Sequence, residues 1–149
     1  MDEVNKILDA NSFCTISTVT GDGKPWASPV FFAYEDGPKI YWWSDQESTH
    51  SKNIKANNEV FITVFNSQVS ENDAIGVYIK AKARPLDDVY SRDKAIKFYN
   101  KRAKFFELTE ENTSGNAPTR LYIAEPEQIW LNSEGTKDGF YVDTRRRLK

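Results

Sequence analysis

The chain has 149 residues, enough for one domain built around a single core. Its 20 Lys and Arg against 22 Asp and Glu leave a net charge of −2, without the basic excess that proteins use to grip a nucleic acid backbone. A single Cys and a single His exclude by count a disulfide framework, a CxxC redox pair, a Cys/His zinc site and an HExxH protease. No apolar run is long enough for a membrane span, and the first residues lack the layout of a signal peptide, so a cytoplasmic protein with no nucleic acid or membrane partner is expected.

Residues 2–11 place Val4, Ile7 and Leu8 at helical spacing, which predicts a short amphipathic helix. The period then changes to β-branched and aromatic residues over 13–20, ending at Gly21-Asp22-Gly23, a hairpin turn. Strands are expected over 26–34 and 40–44, a short helix over 51–57, and strands again over 60–66 and 75–84, with a loop at 70–73 and Pro85 as a stop. One long helix is expected over 88–106, with Ile96, Tyr99, Ala103 and Phe106 on one face. Residues 107–118 read as a polar, mobile connection. Two closing strands follow, one at 120–124 resuming at 129–131 after Pro126, the other at 140–145. Six or seven short strands at hairpin spacing, with no repeat or linker, predict one antiparallel barrel domain over residues 1–149.

Few residues offer chemistry. Gly21-Asp22-Gly23-Lys24 contains a Gly-Lys pair, but Pro25 and a strand follow it where a phosphate loop needs a helix. Cys14 lies mid-strand with no basic neighbour, which suits a buried small side chain. The run 44–54 (Ser-Asp-Gln-Glu-Ser-Thr-His-Ser-Lys-Asn-Ile) passes from a strand into a helix and carries hydroxyls, an imidazole and an ammonium. A helix N-terminus with unpaired N–H groups suits a phosphate. Ordinary helix capping accounts for the same Ser and Thr residues without a ligand. Trp42 and Trp43 are adjacent on a strand and must face opposite ways, one into the core and the other toward a partner subunit or a flat aromatic ligand. Arg145, Arg146 and Arg147 read either as a solvated tail or as a source of cations for an anionic ligand. Val30 and Phe32 likewise oppose Phe31, so apolar residues occupy both strand faces. A barrel of this size has room inside for one of them, and a homodimer is expected to cover the other.

Four segments together carry a resemblance. They are 23–32 (Gly-Lys-Pro-Trp-Ala-Ser-Pro-Val-Phe-Phe), 40–44 (Ile-Tyr-Trp-Trp-Ser), 48–54 (Ser-Thr-His-Ser-Lys-Asn-Ile) with Asn57 and Val60, and 76–83 (Gly-Val-Tyr-Ile-Lys-Ala-Lys-Ala). The close of the chain, from Arg120 through Pro126 and Trp130 to Arg145, extends the match. In order and spacing the chain resembles the pyridoxamine 5′-phosphate oxidase-like family of FMN-binding split barrels, in its small general-stress-protein-like branch. The resemblance implies a mainly β antiparallel split barrel, FMN as cofactor, and flavin sites at a homodimer interface. It implies that Ser28, Pro29, Val30 and Phe31 pass along the flavin ring, that Trp43 and Ser44 meet it, and that Thr49, His50, Ser51 and Lys52 form the phosphate loop. Trp130 and Arg145 fall in the segment that closes the site. Thr49 and His50 stand where relatives commonly carry an Arg and a Lys.

Departures from the family pattern narrow the chemistry. Ser28 and Ala33 stand where pyridoxamine phosphate oxidases carry an Arg and a Lys, and no His follows His50, so the Arg-x-His substrate clamp is missing. A phosphorylated B6 substrate would lose its cationic partners. The expectation is therefore a flavoprotein oxidoreductase that acts with a small-molecule electron donor or acceptor and has no identified catalytic side chain and no metal. The alternatives are a non-catalytic flavin storage or sensing module, or a relative binding the deazaflavin F420 or haem on the same fold.

Overall fold

In the computed structural model, which describes residues 1–71 and 73–149, seven strands and three α-helices follow one another. They are α1 (Asp2–Ala10), β1 (Phe13–Val19), β2 (Pro25–Glu35), β3 (Lys39–Asp45), α2 (Thr49–Ala56), β4 (Glu59–Phe65), β5 (Gly76–Pro85), α3 (Val89–Arg102), β6 (Thr119–Lys137) and β7 (Phe140–Arg147). Every strand pairing is antiparallel, in the order β3-β2-β1-β4-β5-β6-β7. A further β3–β6 pairing, Ile40 opposite Ala124 to Asp45 opposite Thr119, closes six strands into a barrel and leaves β7 as an extra strand. The split barrel expected from the sequence is the observed architecture.

Alternation along the strands builds two cores. Ile16, Val30, Phe32, Ile40, Trp42, Ile62, Ile79 and Ile129 point inward and fill the barrel. α1 stops one mouth with Val4 and Leu8. At the other mouth α2 inserts Ile54, and Asn53 donates to Thr18 Oγ1 at 2.9 Å in a buried hydrogen bond. Outside the barrel, Ala33, Tyr41, Leu121 and Ile123 form a second core under Ala95 and Tyr99 of α3. The long helix therefore covers the outer face of β2, β3 and β6. Phe13, Trp26 and Phe65, on β1, β2 and β4, stay exposed.

Several elements differ from expectation. The segments at 120–124 and 129–131 are one 19-residue strand, because Pro126 sits beside a register shift at Lys80/Ala81 that leaves Glu127 unpaired. There β6 has left β3 and not yet met β7, so the missing proline N–H costs no ladder bond. α2 begins at Thr49 rather than at Ser51, with Ser48 as its N-cap. α3 starts after its cap Asp88, as expected, but ends at Arg102, which leaves Phe106 outside it. The connection after α3 is fastened rather than loose: Leu108 and Thr113 are buried, and the Asn100 side chain bonds both the N–H and the C=O of Leu108 at 2.8 Å. The loop expected at 70–73 is present, with Ser70 bonded to Asp73, and Asn72 lies outside the described residues.

Candidate functional site

The chemistry-bearing run 44–54 lies at the barrel mouth that α2 closes. β3 ends there with Ser44 turned to the interior side, as alternation from Trp42 requires. A tight turn follows, in which Glu47 N–H donates to Asp45 Oδ1 and the Ser48 hydroxyl lies 2.8 Å from Asp45 O. Ser48 then caps α2 by accepting from Ser51 N–H. The helix geometry leaves the Thr49 and His50 N–H groups without an intrahelical acceptor, which is the arrangement that suits an anion.

His50 is half-buried, and its Nε2 lies 2.9 Å from Ser44 Oγ and 3.2 Å from Ser48 Oγ. Burial holds its pKa below the ordinary imidazole value, so the ring is neutral at neutral pH. The Ser48 hydroxyl donates to Ser51 Oγ at 2.8 Å, and, nearby, burial holds the Tyr122 phenol above its ordinary pKa. Lys52 pairs with Glu47 at 2.9 Å, both side chains being exposed, so the pair adds little stability and Lys52 is readily drawn to another anion. Beside α2 opens a cleft of about 400 Å³ lined by Gln46, Ser51, Lys52, Lys55, Asp87 and Tyr122. A larger cleft of about 540 Å³ at the opposite mouth, lined by Asp9, Tyr34, Glu35 and Arg102, contains none of the residues singled out from the sequence.

The other sequence-derived positions are distributed as follows. Ser28 is half-buried on β2 and accepts the Trp26 indole N–H at 3.1 Å. Pro29 is exposed, Val30 belongs to the barrel core, and Phe31 packs edge-on against Tyr99 at 5.2 Å. Trp43 faces outward under cover from its own chain: Phe106 stacks on it at 5.3 Å and its indole N–H donates to Asn112 O at 3.3 Å. Trp130 and Arg145 lie apart from the mouth, on the outer face of β5, β6 and β7. There Trp130 stacks near Phe61, and the Arg145 guanidinium sits 4.1 Å from the Tyr78 ring. The rest of the basic C-terminal run is docked: Arg146 pairs with Glu3 at 2.8 Å, and Leu148 N–H donates to Ile129 O. The sequence reading passed over Tyr122, Tyr78 and Phe61. Their outward or mouth-facing placement follows from strand register, and no motif marks them. Among the described residues no cluster of His, Cys, Asp and Glu is arranged to hold a metal ion, and no helix is long and apolar enough to cross a membrane.

A family model described as Pyridoxamine 5′-phosphate oxidase matches residues 1–133. No curated protein matches the chain. Among solved structures, an FAD-binding protein from Mesorhizobium loti is similar with a TM-score of 0.65 and 22% identity, over 87% of this chain and 91% of that one. The haem storage protein HutZ from Vibrio cholerae is similar with a TM-score of 0.71 and 17% identity, over 86% and 91%. A haem-binding protein from Mycobacterium smegmatis gives a TM-score of 0.70 and 14% identity, over 95% of this chain and 56% of that one. At these identities the likeness is one of fold.

Proposed function

Because the chain belongs to the pyridoxamine 5′-phosphate oxidase family, we propose that it is a flavin-dependent oxidoreductase with FMN as its cofactor and an unphosphorylated substrate. The observation that carries this reading is the meeting, at one barrel mouth, of the end of β3 with the N-terminus of α2. The residues there fit a terminal phosphate: two helix N–H donors, the exposed Thr49, and Lys52, whose present ion pair is weak. His50 contributes geometry rather than charge, since its neutral ring is already engaged by Ser44 and Ser48. FMN bound there would supply electron transfer at its ring, while the protein orients the ring and excludes water.

The split between the mouth residues and the Trp130–Arg145 patch supports a homodimer. A second copy that laid its Trp130 and Arg145 beside the first copy's Ser44 and Thr49 would complete two equivalent sites. The exposed Phe13, Phe65 and Trp26 are the apolar surface such a partner would cover. An unphosphorylated substrate is favoured because Ala33 is buried under α3 and Ser28 is tied to Trp26, so this strand extends no cation. The haem reading is weaker here, because the single His already directs Nε2 at two hydroxyls.

Titration of apo-protein with FMN, FAD and a deazaflavin, followed by anaerobic addition of NADH or NADPH, tests the reading. Preferential FMN binding with bleaching of its absorbance is expected. FAD binding as tightly as FMN, or no flavin binding, would refute the cofactor assignment. Persistent bands with every donor would instead favour a storage or sensing module. Light scattering on apo- and holo-protein through a dilution series should show FMN stabilising the dimer.

A further inference from the structure

We propose that the cleft between α2, the start of β6 and the β5–α3 connection binds a small zwitterion, a molecule that carries a carboxylate and an ammonium group as a free amino acid does. At about 400 Å³ the cleft falls within the range of small-ligand pockets, roughly 300–1,000 Å³. α2 supplies Ser51, Lys52 and Lys55 to its walls, the end of β5 and the connection after it supply Pro85 and Asp87, and β6 supplies Tyr122. Ser28, Trp43, Thr49 and His50 take no part in the lining, so the proposal goes beyond the flavin reading and does not depend on it.

Two buried hydroxyls open on this cleft with protons to give. Tyr122 is 4% exposed and Ser51 3%. The Tyr122 ring stacks on Trp42 at 5.5 Å, which fixes it in the barrel mouth. Its phenol has no hydrogen-bond partner among the described residues, yet it is not one of the unpaired polar atoms sealed away from solvent, which are Asn5 Oδ1, Trp42 Nε1 and Arg92 Nε. The phenol oxygen therefore touches the open cleft. Burial holds it above its ordinary pKa, so it remains a donor at neutral pH. Ser51 Oγ accepts from the Ser48 hydroxyl at 2.8 Å, which leaves its own proton without an acceptor among the described residues. A buried donor left unmatched costs stability until water or a ligand completes it.

The charges on the walls select the ligand. Lys52 is engaged by Glu47, whereas Lys55 and Asp87 have no ion pair among the described residues and stand too far apart to pair with each other. Water completes stray hydroxyls, but it does not match a cation and an anion held apart on different walls of one cleft. A ligand carboxylate takes the Tyr122 and Ser51 protons and the Lys55 ammonium, while a ligand ammonium meets Asp87. The side-chain charges of the lining, Lys52 and Lys55 against Glu47 and Asp87, cancel. That balance disfavours a dianion such as a phosphate monoester and suits a molecule without net charge. Pro85 offers its apolar ring to the carbon skeleton between the two charged groups.

Titration of the protein with L-alanine, acetate and inorganic phosphate, followed by ¹H–¹⁵N chemical shifts, tests the site. Saturable shifts are expected at the Gln46, Ser51, Lys55 and Tyr122 amides, with L-alanine bound about threefold or more tightly than acetate. Tyr122→Phe keeps the ring on Trp42 and should weaken both probes by about tenfold. Asp87→Asn should erase the advantage of L-alanine while leaving acetate at least as tight. Unchanged affinity in Tyr122→Phe would overturn the donor set on which the site rests. No saturable shift with any probe would show a cleft that holds only water and overturn the site. Phosphate as the tightest probe, or L-alanine displaced by FMN, would overturn the zwitterion and make the cleft part of a cofactor anchor. L-alanine and FMN bound together would support both readings, and L-alanine bound by a protein that takes up no flavin would support the site and overturn the flavin reading alone.

Discussion

Replacing Arg102 by Ala is expected to cost about 3–4 kcal/mol of folding stability. The last residue of α3 reaches back to α1, where its guanidinium donates to Leu8 O at 3.0 Å and Asn11 O at 2.6 Å, at the carbonyl end of that helix. It also lies 4.8 Å from the Phe32 ring centroid and 5.4 Å from that of Tyr34. A hydrogen bond to a charged group contributes roughly 1.5–3 kcal/mol. A cation at a helix C-terminus adds about 0.3–1 kcal/mol, and a partly desolvated cation–π contact about 0.5–2 kcal/mol. These share one side chain and do not simply add. The Asp9 partner, at 3.7 Å and largely exposed, adds little. For a chain of this length about 2–4 °C accompanies each kcal/mol, so the melting temperature should fall by about 10 °C. Arg102→Lys keeps the charge but loses the planar fork, and should recover less than half of the loss. Urea unfolding followed by tryptophan fluorescence measures both variants, with an unchanged m-value confirming a pure stability effect. A loss below about 1 kcal/mol in Arg102→Ala would refute the view that this side chain ties α3 to α1.

Two further predictions concern groups whose protonation the fold alters. His50 has a lowered folded-state pKa, so the unfolded chain binds the proton more readily. Its contribution to stability is fully present above the ordinary value of 6.5 and is lost as pH falls below it toward the folded value. A plot of unfolding free energy against pH should decline there in wild type, and His50→Gln should flatten that part. Cys14 is buried, which pushes its thiol up to about 12. It should stay silent to a thiol reagent in native protein at pH 8 and react stoichiometrically once urea unfolds the chain, whereas prompt native labelling would show that the barrel opens at β1.

Local pattern was enough to read much of this molecule from its sequence. Alternating β-branched and aromatic residues marked all but one of the strands within a residue or two, because side-chain direction in a strand depends on nothing but the period of two. The same rule separated Trp42 from Trp43, and the structure puts the first in the barrel core and the second outside it. The run from Ser44 to Ile54 was legible as a passage from strand into helix, although α2 begins at Thr49, two residues before the expected start. What covers an outward face, and what a long side chain reaches, depends on residues far along the chain. Trp43 is covered by Phe106, 63 residues later, a contact made after α3 has already ended. Pro126 read as a break because a proline lacks an N–H; tertiary pairing places it where β6 changes partners and no donor is needed. The resemblance put His50 in the phosphate loop, where relatives commonly carry a cation. Only packing against β3 turned its ring toward Ser44 and buried it, and burial in a medium that solvates charge poorly makes it neutral.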